Sequence, residues 1–380
     1  MAERVNLTRR TFRFQVEPSD LFRERRRQMR SWGIPSSTLT RVEAAVDDMW
    51  REGPRGWAYE WRREGEAAAR RGRWHRAAMC HGAAKFPCIV TALQERCYAS
   101  QLECYAKAAS AFPCSFQRLE LDVPYRDGST RVPVHLFAPR ADSNLPLVCL
   151  SGGVDTLKVE LHRLALTLAL VGRFRVAAID MPGTGESAIA LAGDAHRIYE
   201  GVLAELHHGA KRGVWGVSFG GHWAAKLACL ASVDAAVDMG GPIGARTLDY
   251  TRLPNGMTGI IANALSDERL LTASSPELAE LEAQFSLPKQ GLMEARTSSP
   301  LLVFNGARDP YIPVEDTTAF LGWKESCVWL FENGDHCAAN QIQRVIPAAI
   351  AWLRWKLHAD TPTHRWMAAA ATRFLPRRVA

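Results

Sequence analysis

Residues 213–221 read Gly-Val-Trp-Gly-Val-Ser-Phe-Gly-Gly. An apolar run, Gly213–Val217, leads into Ser218, with Gly216 two places before it and Gly220 two places after, and a helical stretch beginning at His222 follows. A G-x-S-x-G pattern between a strand and a helix marks a tight, strained turn that holds a serine hydroxyl exposed at a helix N-terminus. The flanking residues must be small because the two backbones nearly touch there. A glycine-rich turn with an incidental serine is the plainer reading. A nucleophile needs a base and a group that orients the base, so the rest of the chain has to supply them.

Those partners occur in order downstream. Leu301–Ala307 reads as a strand ending in Asn305-Gly306-Ala307-Arg308-Asp309-Pro310, which puts Asp309 just past a strand end, 91 residues after Ser218. Another 27 residues on, after Val328–Phe331, comes Glu332-Asn333-Gly334-Asp335-His336. Ser, Asp, His is the chain order of α/β-hydrolases, and open α/β sheets carry their sites in loops at the carboxyl ends of strands. Taken singly, Asp309 reads as well as a helix cap and His336 as a loop histidine. Order and spacing together make Ser218, Asp309 and His336 the candidate catalytic triad. Asp335 is the nearest rival acid, but a residue adjacent to the histidine can hardly orient its ring. Two backbone amides are expected to form the oxyanion hole. One is that of Phe219; the other comes from the loop Ser151-Gly152-Gly153-Val154-Asp155, with Gly153 and Val154 both open as donors.

Around these loops the periodicity describes the fold. Phe116–Tyr125 and Thr130–Ala138 alternate like a hairpin joined by residues 126–129. Short apolar runs follow at Leu145–Leu150, Arg175–Asp180, Gly213–Val217, Ala235–Met239, Pro300–Phe304 and Val328–Phe331, with helical segments between them. This alternation predicts an α/β fold, a mostly parallel sheet with helices on both faces, over residues 115–358. Gly244–Ser298 interrupts the rhythm with helical pieces at about Gly259–Thr272 and Pro276–Phe285, and reads as a lid-like insertion. Asp155 in the glycine loop, and Asp249 and Tyr250 at the start of the insertion, are candidate substrate-binding residues; surface placement is the plainer reading of the last two. Asp180 reads as a turn residue before Met181-Pro182-Gly183, and Cys337 as a bystander thiol. A last helix is expected over Ala338–Leu357.

Residues 1–114 look different. They carry a net charge of +8 against −1 for the remainder, within a total of +7. Helices are expected at Ser37–Trp50, Trp57–Arg71, Trp74 to before Pro87, and Ile89–Ala111, with Trp32, Trp50, Trp57, Trp61 and Trp74 among Arg and Glu. The basic residues alternate with acidic ones and Trp, which indicates solvated helix faces rather than a nucleic-acid surface. This segment is read as a helical cap whose Trp-rich faces pack over the mouth of the core, and residues 359–380 as a basic tail. With 47% hydrophobic and 23% charged residues the chain is globular in composition. Nine cysteines without a CxxC suit reduced, buried thiols in the cytoplasm. A zinc site built from Cys80 and His81 with distant ligands is the lesser reading. The N-terminus lacks a signal-peptide pattern, and no apolar stretch is long enough to span a membrane. No metal ligand set or dinucleotide loop is found, and Gly183-Thr184-Gly185 lacks the remainder of a phosphate loop. No cofactor is therefore expected.

Leu150-Ser-Gly-Gly-Val-Asp-Thr-Leu-Lys-Val-Glu160, Asp180-Met-Pro-Gly-Thr-Gly-Glu-Ser187, Gly216-Val-Ser-Phe-Gly-Gly221, Asn305-Gly-Ala-Arg-Asp-Pro310 and Asn333-Gly-Asp-His336 together resemble the FrsA-like α/β-hydrolases. Similar members include dihydroxypseudooxynicotine hydrolase and the polyketide-shortening hydrolases. The resemblance covers roughly residues 70–357, and Gly152, Gly153, Asp155, Thr156 and Lys158 carry its most telling part. It implies a helical segment ahead of a hydrolase core, and it places Ser218, Asp309 and His336 on the family's triad positions. It further implies retro-Claisen cleavage of a carbon–carbon bond beside a carbonyl in an aromatic or polyketide-like substrate. The alternatives are a carboxylesterase or thioesterase, an acyl-transfer or cyclising enzyme, and a regulatory binding protein on a hydrolase fold. The expected partner is a small-molecule or carrier-bound acyl or polyketide substrate, without nucleic acid or membrane, and a homodimer is the oligomer considered.

Overall fold

A computed structural model describes residues 11–139, 144–247, 250, 253–272, 275–294, 298–323, 325–358, 361–373 and 375. Eight strands form one sheet: β1 (Ser115–Tyr125), β2 (Gly128–Ala138), β3 (Leu147–Ser151), β4 (Arg175–Ile179), β5 (Arg212–Val217), β6 (Ala235–Met239), β7 (Leu301–Gly306) and β8 (Ser326–Phe331). Their order is β1-β2-β4-β3-β5-β6-β7-β8. β1 and β2 pair antiparallel through a turn in which Arg126 takes a left-handed conformation, and β2 pairs antiparallel with β4. The remaining neighbours are parallel. The chain leaves β3 toward β4 and then returns to place β5 on β3's other side. The crevice at that reversal, outside the carboxyl ends of β3 and β5, is where sheets of this type take ligands.

Strand residues alternate between two cores, as the pleat requires. On one face Val148, Leu150, Val176, Trp215, Val237, Phe304 and Trp329 meet α6 (His162–Leu170) and α12 (Ile342–Leu357). On the other, Leu147, Cys149, Ile179, Val214, Ala236 and Val303 meet α7 (His196–Glu205) and α8 (Phe219–Cys229).

The first of these cores continues into five helices at the amino-terminal end: α1 (Pro18–Ser31), α2 (Ser36–Ala45), α3 (Trp57–Ala69), α4 (Trp74–Lys85) and α5 (Ala92–Ala108). α5 starts at a capping box, with the Thr91 hydroxyl on the Gln94 amide and the Gln94 side chain on the Thr91 amide. Trp57 and Trp61 are fully buried. Trp57 lies against Phe22, ring centroids 4.5 Å apart, and its Nε1 donates to the Ala83 carbonyl. These two tryptophans therefore bind the helices together and do not line the mouth of the core, contrary to the reading from sequence. The reason is competition: a small helical unit needs its largest apolar side chains for its own interior.

Other differences are local. α1 had no counterpart among the expected helices. α12 begins at Ile342 rather than Ala338, because Cys337 and Ala338 adopt left-handed conformations within a turn at His336–Gln341. The stretch read as a basic tail contains α13 (Pro362–Arg373), which packs on α12 and buries Ala368. The insertion between β6 and β7 contains α9 (Met257–Leu265) and α10 (Ser275–Phe285), and its stem is fixed by the buried Asp316 of α11 (Val314–Thr318). The Asp316 carboxylate accepts the amides of Ile243, Gly244 and Ala245 at 2.9, 3.3 and 2.9 Å. Residues 11–16 cross α9 as an irregular strap. Phe12 exchanges two hydrogen bonds with the Asn263 side chain, at 2.9 and 3.0 Å, and the Phe14 ring fills the space left by Gly256 and Gly259. Among the described residues no helix is long and apolar enough to cross a membrane.

Candidate active site

β5 ends at Val217, and Ser218 follows in a conformation with φ 56° and ψ −130°, the only link between β5 and α8. Strain of this kind, on the order of 1–3 kcal/mol for a non-glycine residue, is tolerated because the surroundings over-determine it. The Ser218 amide donates to the Met239 carbonyl of β6, and its own carbonyl accepts from Gly221. A Cβ at Gly216 would collide with the Gly220 carbonyl, and one at Gly220 with the Gly152 carbonyl. Those close approaches are why the motif needs glycine at both places.

The three predicted residues meet. His336 Nε2 lies 2.9 Å from Ser218 Oγ, and His336 Nδ1 lies 2.6 Å from Asp309 Oδ2. The Asp309 side chain is fully buried. Its Oδ2 also accepts from Asn305 Nδ2 at 2.8 Å, and its Oδ1 accepts the Tyr311 and Ile312 amides at 2.8 and 3.2 Å. Asn305 Oδ1 accepts the Cys337 amide at 2.9 Å, so one side chain at the end of β7 fixes both the acid and the histidine loop. Sequence reasoning passed over Asn305, although its place four residues before Asp309 was a usable signal. Asp335 points away and pairs with Arg27 at 3.0 Å. Cys337 is buried with its thiol on the Met239 carbonyl.

Gly153 sits against Ser218. A Cβ there would come within 2.8 Å of Ser218 Cβ, 2.9 Å of its Oγ and 3.0 Å of the Phe219 amide nitrogen. The glycine loop and the first turn of α8 thus enclose one small space beside Ser218 Oγ. Val154 and Phe219 are buried in the same apolar cluster.

Four buried ion pairs hold the segment that carries this loop. Asp155 Oδ2 meets Arg25 of α1 at 2.8 Å. Lys158 Nζ, fully buried, lies 2.6 Å from both Asp180 and Glu186. Lys85 of α4 lies 3.3 Å from Glu160. The Asp155 carboxylate, expected as a substrate ligand, is therefore engaged with Arg25 and the Thr156 hydroxyl. Asp180 also accepts from Tyr98 and from the Lys158 and Glu186 amides, the structural role expected of it. Burial would raise its pKa, but the Lys158 ammonium and the Glu186 and Lys158 amides together outweigh burial and hold it well below the usual carboxylate range. Tyr250 packs at the base of the insertion, where burial, Asp316 and Glu282 push its phenol up. Asp249 lies outside the described residues.

Burial opposes a charge on His336, but the adjoining Cys337 and the Asp309 carboxylate on Nδ1 together more than offset it and hold the pKa well above the ordinary 6.5. A base must be neutral to take the serine proton, so activity should climb with pH through that raised value. The acid limb of kcat/KM is expected above pH 6.5. In Asp309→Asn the limb should move to lower pH, because the imidazolium loses its counter-charge, while the plateau falls by roughly 10³–10⁴-fold. An unmoved limb would contradict the coupling.

A strand-order reversal, a strained serine turn above it, and acid and histidine loops at the ends of β7 and β8 define an α/β-hydrolase. Comparison with known proteins gives the family: residues 44–357 match the model for "Esterase FrsA-like" proteins, and the chain belongs to that FrsA-like family. The match begins well before residue 70, where the quoted motifs fade. The chain is 26% identical over 303 residues to the esterase FrsA of Salmonella typhi, covering 73% of this chain and 72% of that one. It is 28% identical over 303 residues to the esterase FrsA of Vibrio vulnificus strain YJ016, covering 71% and 70%. Among solved structures, AbyA5 superposes with a TM-score of 0.75 at 20% identity, over 89% of this chain and 94% of its own. The 2,6-dihydroxy-pseudo-oxynicotine hydrolase superposes with a TM-score of 0.68 at 24% identity, over 88% and 96%. The protein is an α/β-hydrolase enzyme.

Proposed function

We propose that Ser218 is the nucleophile, His336 the general base and acid, and Asp309 the residue that orients and charges the histidine. The hydrogen-bonded chain of Asp309, His336 and Ser218 supports this reading more than any other observation. The bond cleaved is a carbon–carbon bond beside a carbonyl, in an aromatic or polyketide-like substrate, free or carrier-bound. Ser218 Oγ adds to the carbonyl carbon as its proton passes to His336 Nε2. The oxyanion is held by the Phe219 amide and an amide of the Gly153-Val154 pair. The carbon–carbon bond then breaks with its electron pair on the departing carbon, which is an enolate or phenolate, and His336 returns the proton there. Water, activated by the same histidine, releases the acyl group. Likeness to a hydrolase named for 2,6-dihydroxy-pseudo-oxynicotine favours this substrate class. Nine free cysteines, most of them buried, support a reducing, cytoplasmic setting.

Ester or thioester hydrolysis is the second reading, favoured by the esterase relatives. It shares the first half of the mechanism, so a carbon–carbon hydrolase should turn over small activated esters, but poorly. The test compares kcat/KM for p-nitrophenyl butyrate and an aryl β-diketone, with products identified by mass. Cleavage of the diketone in D₂O that leaves deuterium on the released methyl or methylene carbon is the expected result. Efficient ester turnover with no diketone cleaved would overturn the carbon–carbon reading.

A further inference from the structure

Asp238 sits at the back of the serine turn. It is the fourth residue of β6, in register with Gly216 of β5, and it is fully buried. Its Oδ1 accepts the Gly241 amide at 2.7 Å. The same oxygen lies so close to the first turn of α8 that a Cβ at Gly221 would collide with it. The turn that Asp238 closes is a meeting point of the site. Its Met239 carbonyl takes both the Ser218 amide and the Cys337 thiol, and the Gly240 amide donates to the Phe304 carbonyl of β7. The Pro242 carbonyl takes His222 Nδ1 of α8, a ring that burial keeps neutral. Asp238 Oδ2 is buried and has no hydrogen-bond partner among the described residues, and no cation there is paired with it. The titratable groups that face it are Asp316 of α11 and Cys229 of α8, an acid and a thiol. A carboxyl with neither water nor a counter-ion keeps its proton, because the ionised form is the costly one. Burial and Asp316 accordingly push its pKa up to about 8, against the pull of the Gly241 amide.

We infer that Asp238 is a positioning residue for the oxyanion hole, an uncharged side chain that ties the turn after β6 against the first turn of α8. This rests on the proposed triad, since Phe219 is an oxyanion donor only if Ser218 is the nucleophile. The Phe219 amide opens the same helical turn that Asp238 Oδ1 meets at Gly221. Uncharged, Asp238 leaves the field of those amides to the oxyanion. Ionised, it sets a fixed negative charge behind them, which opposes the charge that develops on the substrate oxygen. It then also repels Asp316, which holds the stem of the insertion through the amides of Ile243, Gly244 and Ala245. The turn between the two carboxyls is strained from both ends. Loss of this one proton therefore weakens the hole while Ser218, His336 and Asp309 keep their own contacts.

The test follows the rate of fluorophosphonate labelling of the full-length chain against pH. The native rate is expected to fall about tenfold or more as the pH rises through about 8. Asp238→Ala should lower the rate at every pH. Asp238→Asn, which stays uncharged and keeps the acceptor, should restore much of it and abolish the alkaline fall. Urea unfolding of native and Asp238→Asn protein gives a second readout that needs no chemistry at Ser218. A carboxyl whose pKa is higher folded than unfolded contributes stability that is full below the unfolded value and is lost as the pH rises to the folded one. Native protein should thus lose stability relative to Asp238→Asn between the ordinary 3.8 and about 8, and no more above that. An alkaline fall that persists in Asp238→Asn, or stability curves that run parallel, overturns the assignment and leaves the triad standing. Should Asp238→Asn fail to fold, a native rate that holds level above about pH 8 overturns it alone. No labelling of Ser218 at any pH overturns the triad, and the role of Asp238 with it, whatever the stability curves do.

Discussion

Replacing Ser218 by alanine is expected to lower kcat by on the order of 10³-fold or more while leaving the fold unchanged. Alanine keeps the Cβ, so the strained backbone at φ 56° is no worse than in the native chain. It loses only the oxygen 2.9 Å from His336 Nε2. His336→Ala should cost as much, and the pair of substitutions little more than either alone, because nucleophile and base act as one device. Labelling by a serine-reactive fluorophosphonate should be lost in Ser218→Ala, with an unchanged unfolding transition. A Ser218→Ala enzyme that keeps native turnover would end the serine-hydrolase reading.

The largest expected effect on stability lies at Lys158. Among the described residues, Lys158→Met removes the one cation paired with Asp180 and leaves Glu186 paired with Arg118. Breaking a buried pair by deleting one partner costs about 3–5 kcal/mol, since the orphaned charge stays buried. Adding Asp180→Asn to the same chain should recover part of the loss, as one orphaned charge is then gone. The effect should also reach the chemistry. Lys158 is five residues from Gly153, and the pairs at Asp155, Lys158 and Glu160 pin the loop that faces Ser218 Oγ. A drop in kcat beyond what unfolding explains is therefore expected. Urea unfolding of the single and double variants measures the first effect, and kcat at low temperature the second. A Lys158→Met protein within about 1 kcal/mol of the native one would show that the buried pair is not what secures the segment.

Much of this was legible from the sequence because it is local. The glycines about Ser218 are dictated by a turn a few residues long, and Asp309 and His336 announce themselves as polar residues directly after apolar strands. The parallel strands were found within a residue or two, since buried runs bounded by turns leave little latitude. What was missed depends on distant partners. α1 buries Leu21, Phe22, Arg25 and Met29, but its string of arginines hides that stripe. Pro18 at its start and the spacing 21, 22, 25, 29 were the available signals. Asp155 looked like a free carboxylate because nothing near it in sequence hints that Arg25 will reach it. Trp57 and Trp61 were rightly read as needing cover, but were assigned to the wrong surface.

The strap across α9 sets an order of events. Phe12 is hydrogen-bonded to Asn263, 251 residues away in the chain, and Tyr311 to Glu24, 287 residues away. Contacts of such separation are the slowest to form, because the loop they close is entropically the most expensive. The sheet and its serine turn can assemble from nearer neighbours first. In refolding followed by pulsed hydrogen exchange, the sheet is therefore expected to gain protection before the strap across α9 does.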